Sequence, residues 1–176
     1  MESEGEGKGA TFTITLPFVG VINNQKEAES VSPAHGDEIV TLDGLPSLQG
    51  IKVLVVDDEA DTRELISEVL KECGSEVILS RSVAEALEAL EQHRPDILIS
   101  DLGMPDEDGY SLISKIRSLP PERGGQIPAA ALTAYARAED RMRVLRSGFQ
   151  FHLPKPVDSA ELVTVVASLA GRAYKS

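Results

Sequence analysis

The stretch KVLVVDDE, Lys52 to Glu59, is a short apolar run that stops at two adjacent aspartates, Asp57 and Asp58. Four similar runs follow: Glu76 to Leu79, Asp96 to Ser100, Ile127 to Leu132 and Phe149 to Leu153. Asp101 closes the third run, Thr133 the fourth, and Lys155 stands just past the fifth. Runs of four to six residues bounded by polar punctuation read as strands. Amphipathic segments of helical length separate them, and strand alternating with helix implies a parallel sheet covered on both faces. In such a sheet the carboxyl ends of the strands face one crevice. Three carboxylates, a hydroxyl and an ammonium group therefore converge.

The intervening segments carry helix signals. Leu65, Ile66, Val69, Leu70 and Cys73 recur at helical spacing and are expected to form one buried face, with Gly74 placed to end the helix in a left-handed turn. Ser82 followed by Glu85 reads as a capping box opening a second helix with Ala86, Leu87 and Leu90 inward. Leu112, Ile113 and Ile116 define a third. A fourth, roughly Ala138 to Ser147, ends at Gly148, and a fifth opens at Asp158 with Glu161 three residues on. The pattern predicts one α/β domain over residues 49–174, a usual size for a single core.

Charge and composition exclude several classes. The formal charge of -12 disfavours direct nucleic-acid binding, which relies on Lys and Arg contacts to phosphates. Residues 49–176 hold 15 basic and 21 acidic side chains, so half of that charge lies upstream of them. No apolar run reaches membrane-spanning length and the amino terminus lacks signal-peptide order, which predicts a cytoplasmic chain without direct membrane contact. Cys73, the single cysteine, has no internal disulfide partner and is expected to pack inertly.

Gathering Asp57, Asp58 and Asp101 within a few ångströms sets like charges against one another, so a proton is retained or a cation is recruited. Magnesium, a hard cation that takes oxygen ligands and keeps several waters, suits one or two carboxylates and a phosphate. One aspartate can then attack phosphorus, since carboxylates form aspartyl phosphates when positioning and electrostatics are supplied. Lys155 would supply positive charge and Thr133 a hydroxyl donor. Taken singly, Asp58 is equally a helix cap, Asp101 a turn former and Lys155 a surface lysine. Their placement at successive strand ends favours the chemical reading.

VLVVDDE (53–59), ILISDLGMPDEDG (97–109), LTA (132–134) and LPKPV (153–157) together resemble the receiver domain of two-component response regulators. The resemblance covers the whole alternating region. It implies a flavodoxin-like doubly wound (βα)5 fold with a five-stranded parallel sheet in the order 2-1-3-4-5. It further implies that Asp101 is the phosphoacceptor, with Asp58 a direct magnesium ligand, Asp57 acting largely through water and the Gly103 backbone carbonyl completing the protein's share of the metal shell. Thr133 and Lys155 would sense the phosphoryl group, and Lys155-Pro156 is the candidate cis peptide. At the usual switch position, three residues before the lysine, stands His152 where the family commonly has Tyr or Phe. The implied donor is a histidine kinase dimerisation and phosphoacceptor domain, and a histidine phosphotransfer protein is a possible onward partner.

Upstream of this domain, Gly5, Gly7 and Gly9 lead into Thr11 to Leu16, where Phe12, Ile14 and Leu16 alternate with threonines before Pro17. That alternation predicts one half-buried strand. GEGKGAT is not a phosphate-binding loop, because Lys8 is followed by glycine and a strand where a Ser or Thr and a helix are required. Residues 1–17 instead resemble the closing hairpin of the ATP-binding domain of sensor histidine kinases. Residues 18–48, with five acidic residues against one lysine and several Gly, Pro, Asn and Ser, read as an acidic flexible linker. Kinase remnant, linker and receiver are the arrangement at the carboxy-terminal end of a hybrid histidine kinase (EC 2.7.13.3). This stretch would lack the kinase catalytic core and keep receiver phosphorylation and dephosphorylation alone. Two other readings are a receiver-like docking module that is never phosphorylated and a magnesium-dependent aspartyl-phosphate phosphatase. The first normally loses an acidic residue, the acceptor or the lysine. The second pairs two aspartates one residue apart, a partner that Asp101-Leu102-Gly103 lacks.

Overall fold

The computed structural model describes residues 45–134 and 138–172. Five parallel strands, β1 (Lys52–Val56), β2 (Glu76–Ser80), β3 (Ile97–Asp101), β4 (Ala129–Thr133) and β5 (Phe151–Pro154), form one sheet in the order β2-β1-β3-β4-β5. Five helices connect or follow them: α1 (Ala60–Glu72), α2 (Val83–His93), α3 (Gly109–Arg117), α4 (Ala138–Ser147) and α5 (Ser159–Leu169). The expected fold class and strand order are both observed. The strand expected at Thr11 to Leu16, the kinase-like segment 1–17 and most of the linker lie outside the described residues. No helix among the described residues is long and apolar enough to cross a membrane.

Period-two alternation within nearly continuous apolar strands supplies two cores. Val53, Val55, Ile97, Ile99, Ala130 and Leu132 point to the side covered by α1 and α5, where Ile66, Leu70, Leu162 and Val166 meet them. Leu54, Val56, Leu98, Ala129 and Ala131 point to the other side, against Ala86 and Leu90 of α2, Leu112 and Ile116 of α3 and Val144 of α4. Burial on both faces is why these strands show no polar alternation. Side-chain caps start α5 and α2 as the sequence suggests, Asp158 accepting from the Glu161 N–H at 2.8 Å and Ser82 from that of Glu85 at 3.3 Å, and a further cap starts α3, where the Asp108 carboxylate accepts from the Ser111 N–H at 2.7 Å. The Glu85 carboxylate does not complete a capping box; it accepts from the Arg81 N–H and pairs with the Arg81 guanidinium at 2.8 Å. Gly74, at φ +92°, ends α1 as expected.

Several boundaries and faces differ from expectation. β4 starts at Ala129, because Pro128 has no N–H for the ladder and Ile127 folds inward with its own N–H bonded to Gly124. Phe149 is buried yet precedes β5: it plugs the lower end of a core without pairing. Leu65 is 52% exposed and so does not belong to the inner face of α1, which is narrower and centres on Ile66, Val69 and Leu70. Packing also begins before residue 49, for Leu48 is fully buried and donates its N–H to Cys73 at 2.8 Å. Leu45, partly buried, packs on the same core. Cys73 is half-buried against that core, and burial, with the Glu72 charge, pushes its thiol above the ordinary value.

These burial differences set contrasting costs. Leu98→Ala, which empties the centre of the sheet, should lower the unfolding free energy by about 2–5 kcal/mol, while Leu65→Ala should cost less than about 1 kcal/mol. Urea denaturation of the two variants measures both, and equal losses would show that the α1 face is misassigned.

Candidate functional site

Ladder hydrogen bonds continue one residue beyond the strands and fix the residues that follow. The Asp57 N–H donates to Ser80 at 3.2 Å, the Leu102 N–H to Leu132 at 3.1 Å and the Lys155 N–H to Thr133 at 2.8 Å. Asp57, Asp101, Thr133 and Lys155 are thereby held at one end of the sheet by backbone bonding. The first three are 0%, 6% and 5% exposed, so their polar groups must find partners inside the protein.

Lys155 supplies the main one. Its Nζ lies 2.8 Å from Asp57 Oδ2 and 3.0 Å from Asp101 Oδ1. The other oxygens meet backbone donors: Asp57 Oδ1 accepts from the Glu59 N–H at 2.9 Å, and Asp101 Oδ2 from the Gly103 N–H at 3.1 Å. Arg63 of α1 donates to the Asp57 carbonyl. Burial pushes the Asp57 carboxyl above its ordinary value, against the pull of Lys155 and the Glu59 N–H, and the Asp101 charge adds to the push. For Lys155 burial works against the charged form, but hydrogen bonds and charge from the two aspartates outweigh it and hold the ammonium above the usual lysine value.

One oxygen from each of Asp57, Asp58 and Asp101 lies within 4.8 Å of the others. Asp58 is exposed, and it does not cap α1: Glu59 occupies the N-cap and makes no side-chain cap bond. Its carboxylate is thus free of that structural duty and lines the crevice. An all-oxygen donor set of two buried and one open carboxylate fits a hard divalent cation, which would offset the repulsion evident at Asp57.

The crevice itself is an open cleft of about 540 Å³ lined by Asp58, Asp101, Gly103, Thr133 and Lys155. Glu59, Tyr110 and Arg143 line it too. Glu59 stands beside the aspartate pair in sequence, but no sequence signal pointed to Tyr110 or Arg143, on α3 and α4. Gly109 carries a separate constraint: a Cβ there would meet the Asp101 carbonyl oxygen at 2.3 Å, so the loop from Asp101 can close on α3 only through glycine. The Lys155-Pro156 peptide bond is cis. His152 is not in the cleft lining. It lies opposite Ala131 in the β4–β5 register and lines a separate shallow cavity with Phe151, Ala160, Glu161, Thr164 and Val165.

Residues 53–167 match the family model described as the response regulator receiver domain. A 14.6 kDa protein encoded beside sodA1 in Leptolyngbya boryana is 47% identical over 122 residues, 69% of this chain and 92% of that protein. The sensor histidine kinase RcsC of Salmonella typhi is 34% identical over 150 residues, 85% of this chain but 15% of the kinase. Among solved structures, the receiver domain of a Pseudomonas aeruginosa sensor histidine kinase, with a magnesium ion coordinated in its active site cleft, is 33% identical at a TM-score of 0.63 over 69% of this chain and 98% of its own.

The ion triad predicts an asymmetric response to mutation. In metal-free buffer Lys155→Met should lower stability by about 1–3 kcal/mol, because two buried carboxylates lose their shared partner. Asp58→Asn should change it by less than about 0.5 kcal/mol. Chemical denaturation in the presence of chelator checks the pair; a Lys155→Met variant as stable as the parent would mean that the ammonium does not hold the site together.

Proposed function

Because this chain belongs to the response regulator receiver family, we propose that its cleft accepts a phosphoryl group on Asp101 from a phosphohistidine, in a magnesium-dependent reaction of a phosphorelay. The observation that carries this reading is the Lys155 ammonium set between Asp57 and Asp101 at the mouth of the cleft. Asp57, Asp58, Asp101 and the Gly103 carbonyl would hold the metal, Asp57 largely through water. When bound, magnesium supplies charge that offsets the incoming phosphoryl group and orients its oxygens. A carboxylate oxygen of Asp101 attacks phosphorus as the P–N bond of the donor breaks, and the imidazole leaves with its electron pair and takes up a proton.

Lys155 acts on both sides of the transfer. Before it, the ammonium stabilises the ionised carboxylate that must attack; afterwards it is positioned to follow charge onto the phosphoryl oxygens. The Gly103 N–H holds the second oxygen of Asp101 and so orients the nucleophile. Thr133, nearly buried at the end of β4, offers a hydroxyl to the modified group. His152 pairs with Ala131, two residues from Thr133 along β4, which gives a short path from the site to the β5 surface.

We also infer that residues 1–17 are the last hairpin of a kinase ATP-binding domain and that the chain is the carboxy-terminal part of a hybrid histidine kinase. The match to RcsC supports the hybrid-kinase origin, because coverage of 85% of the chain extends upstream of residue 45 into the linker. Sequencing of the gene upstream of the Met1 codon tests it: an in-frame ATP-binding domain is expected, and an in-frame stop codon there would remove the idea.

Intact-mass analysis with acetyl phosphate and magnesium tests the central proposal. Wild type should gain one phosphoryl group, and Asp101→Asn none. Lys155→Ala should lose phosphorylation more than magnesium affinity, whereas Asp58→Asn should weaken both. Thr133→Ala should still be labelled but show smaller proton-resonance changes at His152. Labelling of Asp101→Asn at the wild-type level would overturn the assigned acceptor.

A further inference from the structure

The Arg143 guanidinium of α4 lies over the ring of Tyr110, the second residue of α3, 4.4 Å from its centroid. Both side chains line the cleft that holds Asp101, Thr133 and Lys155. Arg143 is exposed, so neither packing nor burial fixes it to the ring. Tyr110 is only partly buried, and a cation on a ring that opens to a solvent-filled cleft is held weakly. Among the described residues lining the cleft, Arg143 and Lys155 are the two cations.

Charge explains why a second cation is placed there. With magnesium bound, the ion and Lys155 would offset the three aspartates, and the count over these groups would close at zero. Phosphorylation replaces the single charge of Asp101 with a group carrying about two, as phosphate monoesters do near neutral pH. One negative charge is then uncompensated, and Glu59 in the same wall adds another. Glu59 alone attracts Arg143 before the transfer, and the pull toward Asp101 is added afterwards. Its planar fork also matches two phosphoryl oxygens, which a lysine at this position would not.

We propose that Arg143 is a phosphoryl-contacting residue, parked on Tyr110 while Asp101 is free and turned onto the phosphoryl oxygens once Asp101 is modified, where it prolongs the life of the aspartyl phosphate. The inference rests on the receiver reading of the cleft. Loss of the phosphoryl group occurs when a water oxygen attacks phosphorus, the P–O bond to Asp101 breaks, the carboxylate is restored and the water's proton passes to the released phosphate or solvent. A guanidinium seated beside the phosphoryl group fills space on the open side of the cleft that the attacking water must cross, and it is this exclusion that slows the in-line attack. Tyr110 sets where the arginine waits, so the ring and the modified Asp101 are the cation's two resting places.

The test uses the full chain, labelled at arginine nitrogen and saturated with acetyl phosphate and magnesium before the donor is removed. The Arg143 Nε–Hε resonance, assigned by its loss in Arg143→Lys, should move on phosphorylation as the ring-current shift from Tyr110 is lost. Phosphate release should be at least about threefold faster in Arg143→Gln than in wild type, and intermediate in Arg143→Lys. An unmoved resonance, a lifetime unchanged or longer in Arg143→Gln, or a lysine variant that decays as fast as the glutamine one would overturn the proposal while leaving Asp101 as the acceptor. A wild-type protein that takes up no phosphoryl group at all would overturn the proposed function, and this inference with it.

Discussion

Two carboxylates buried beside each other are tolerable here because one ammonium lies within 3.0 Å of both. That triad is the constraint around which the rest is arranged. Burial raises Asp57 despite Lys155, so the site remains short of positive charge even with its ion pairs made. Such a residual demand is a structural defect in a domain built for stability alone, since buried ionic groups rarely outperform apolar packing. In the proposed cation- and phosphoryl-binding cleft it would become the driving force for binding. The apolar layers on both faces of the sheet supply the stability that lets the fold hold this defect.

Rigidity and mobility are divided across the cleft. Asp57, Asp101 and Lys155 follow directly from the ladder and have backbone bonds on the residue itself or its neighbour, so their relative positions are set by the sheet. The loop from Asp101 to α3 is pinned where Gly109 lets backbone meet backbone. On the far wall, Tyr110 and Arg143 come from two helices and touch through a weak cation–π contact. Fixed groups suit the chemistry of transfer, which demands positioning, and movable groups suit the response to it. The edges of the sheet are also unalike: β2 leaves Leu79 exposed at one margin, while β5 carries Phe151 and His152 at the other.

His152 illustrates how a sequence position and a structural position can diverge. Its place three residues before Lys155 puts it on the strand next to Thr133, yet its side chain opens toward Ala160, Glu161 and Thr164 of α5, outside the cleft. Tyr110 and Arg143 illustrate the reverse. Nothing about a tyrosine after Gly109 or an arginine in the middle of α4 marks either as a cleft residue, because what joins them is the angle at which two helices pack on the sheet.

The sequence by itself determined the alternation of strand and helix, the helix starts at Ser82 and Asp158, the turn at Gly74, and the identity of the residues standing at the strand ends. These are local properties: period, capping and backbone freedom act over a few residues, and a parallel sheet turns strand ends into neighbours whatever its details. The tertiary structure decided what locality could not. It exposed Leu65 and buried Leu48, because the width of a helix's contact depends on the element it faces. It shortened β4 and β5 relative to their apolar runs, because burial and ladder bonding are separate conditions. It also set one ammonium between two particular carboxylates and a guanidinium over a particular ring, because side-chain contacts across 33 residues of chain arise from packing directions that no local pattern encodes.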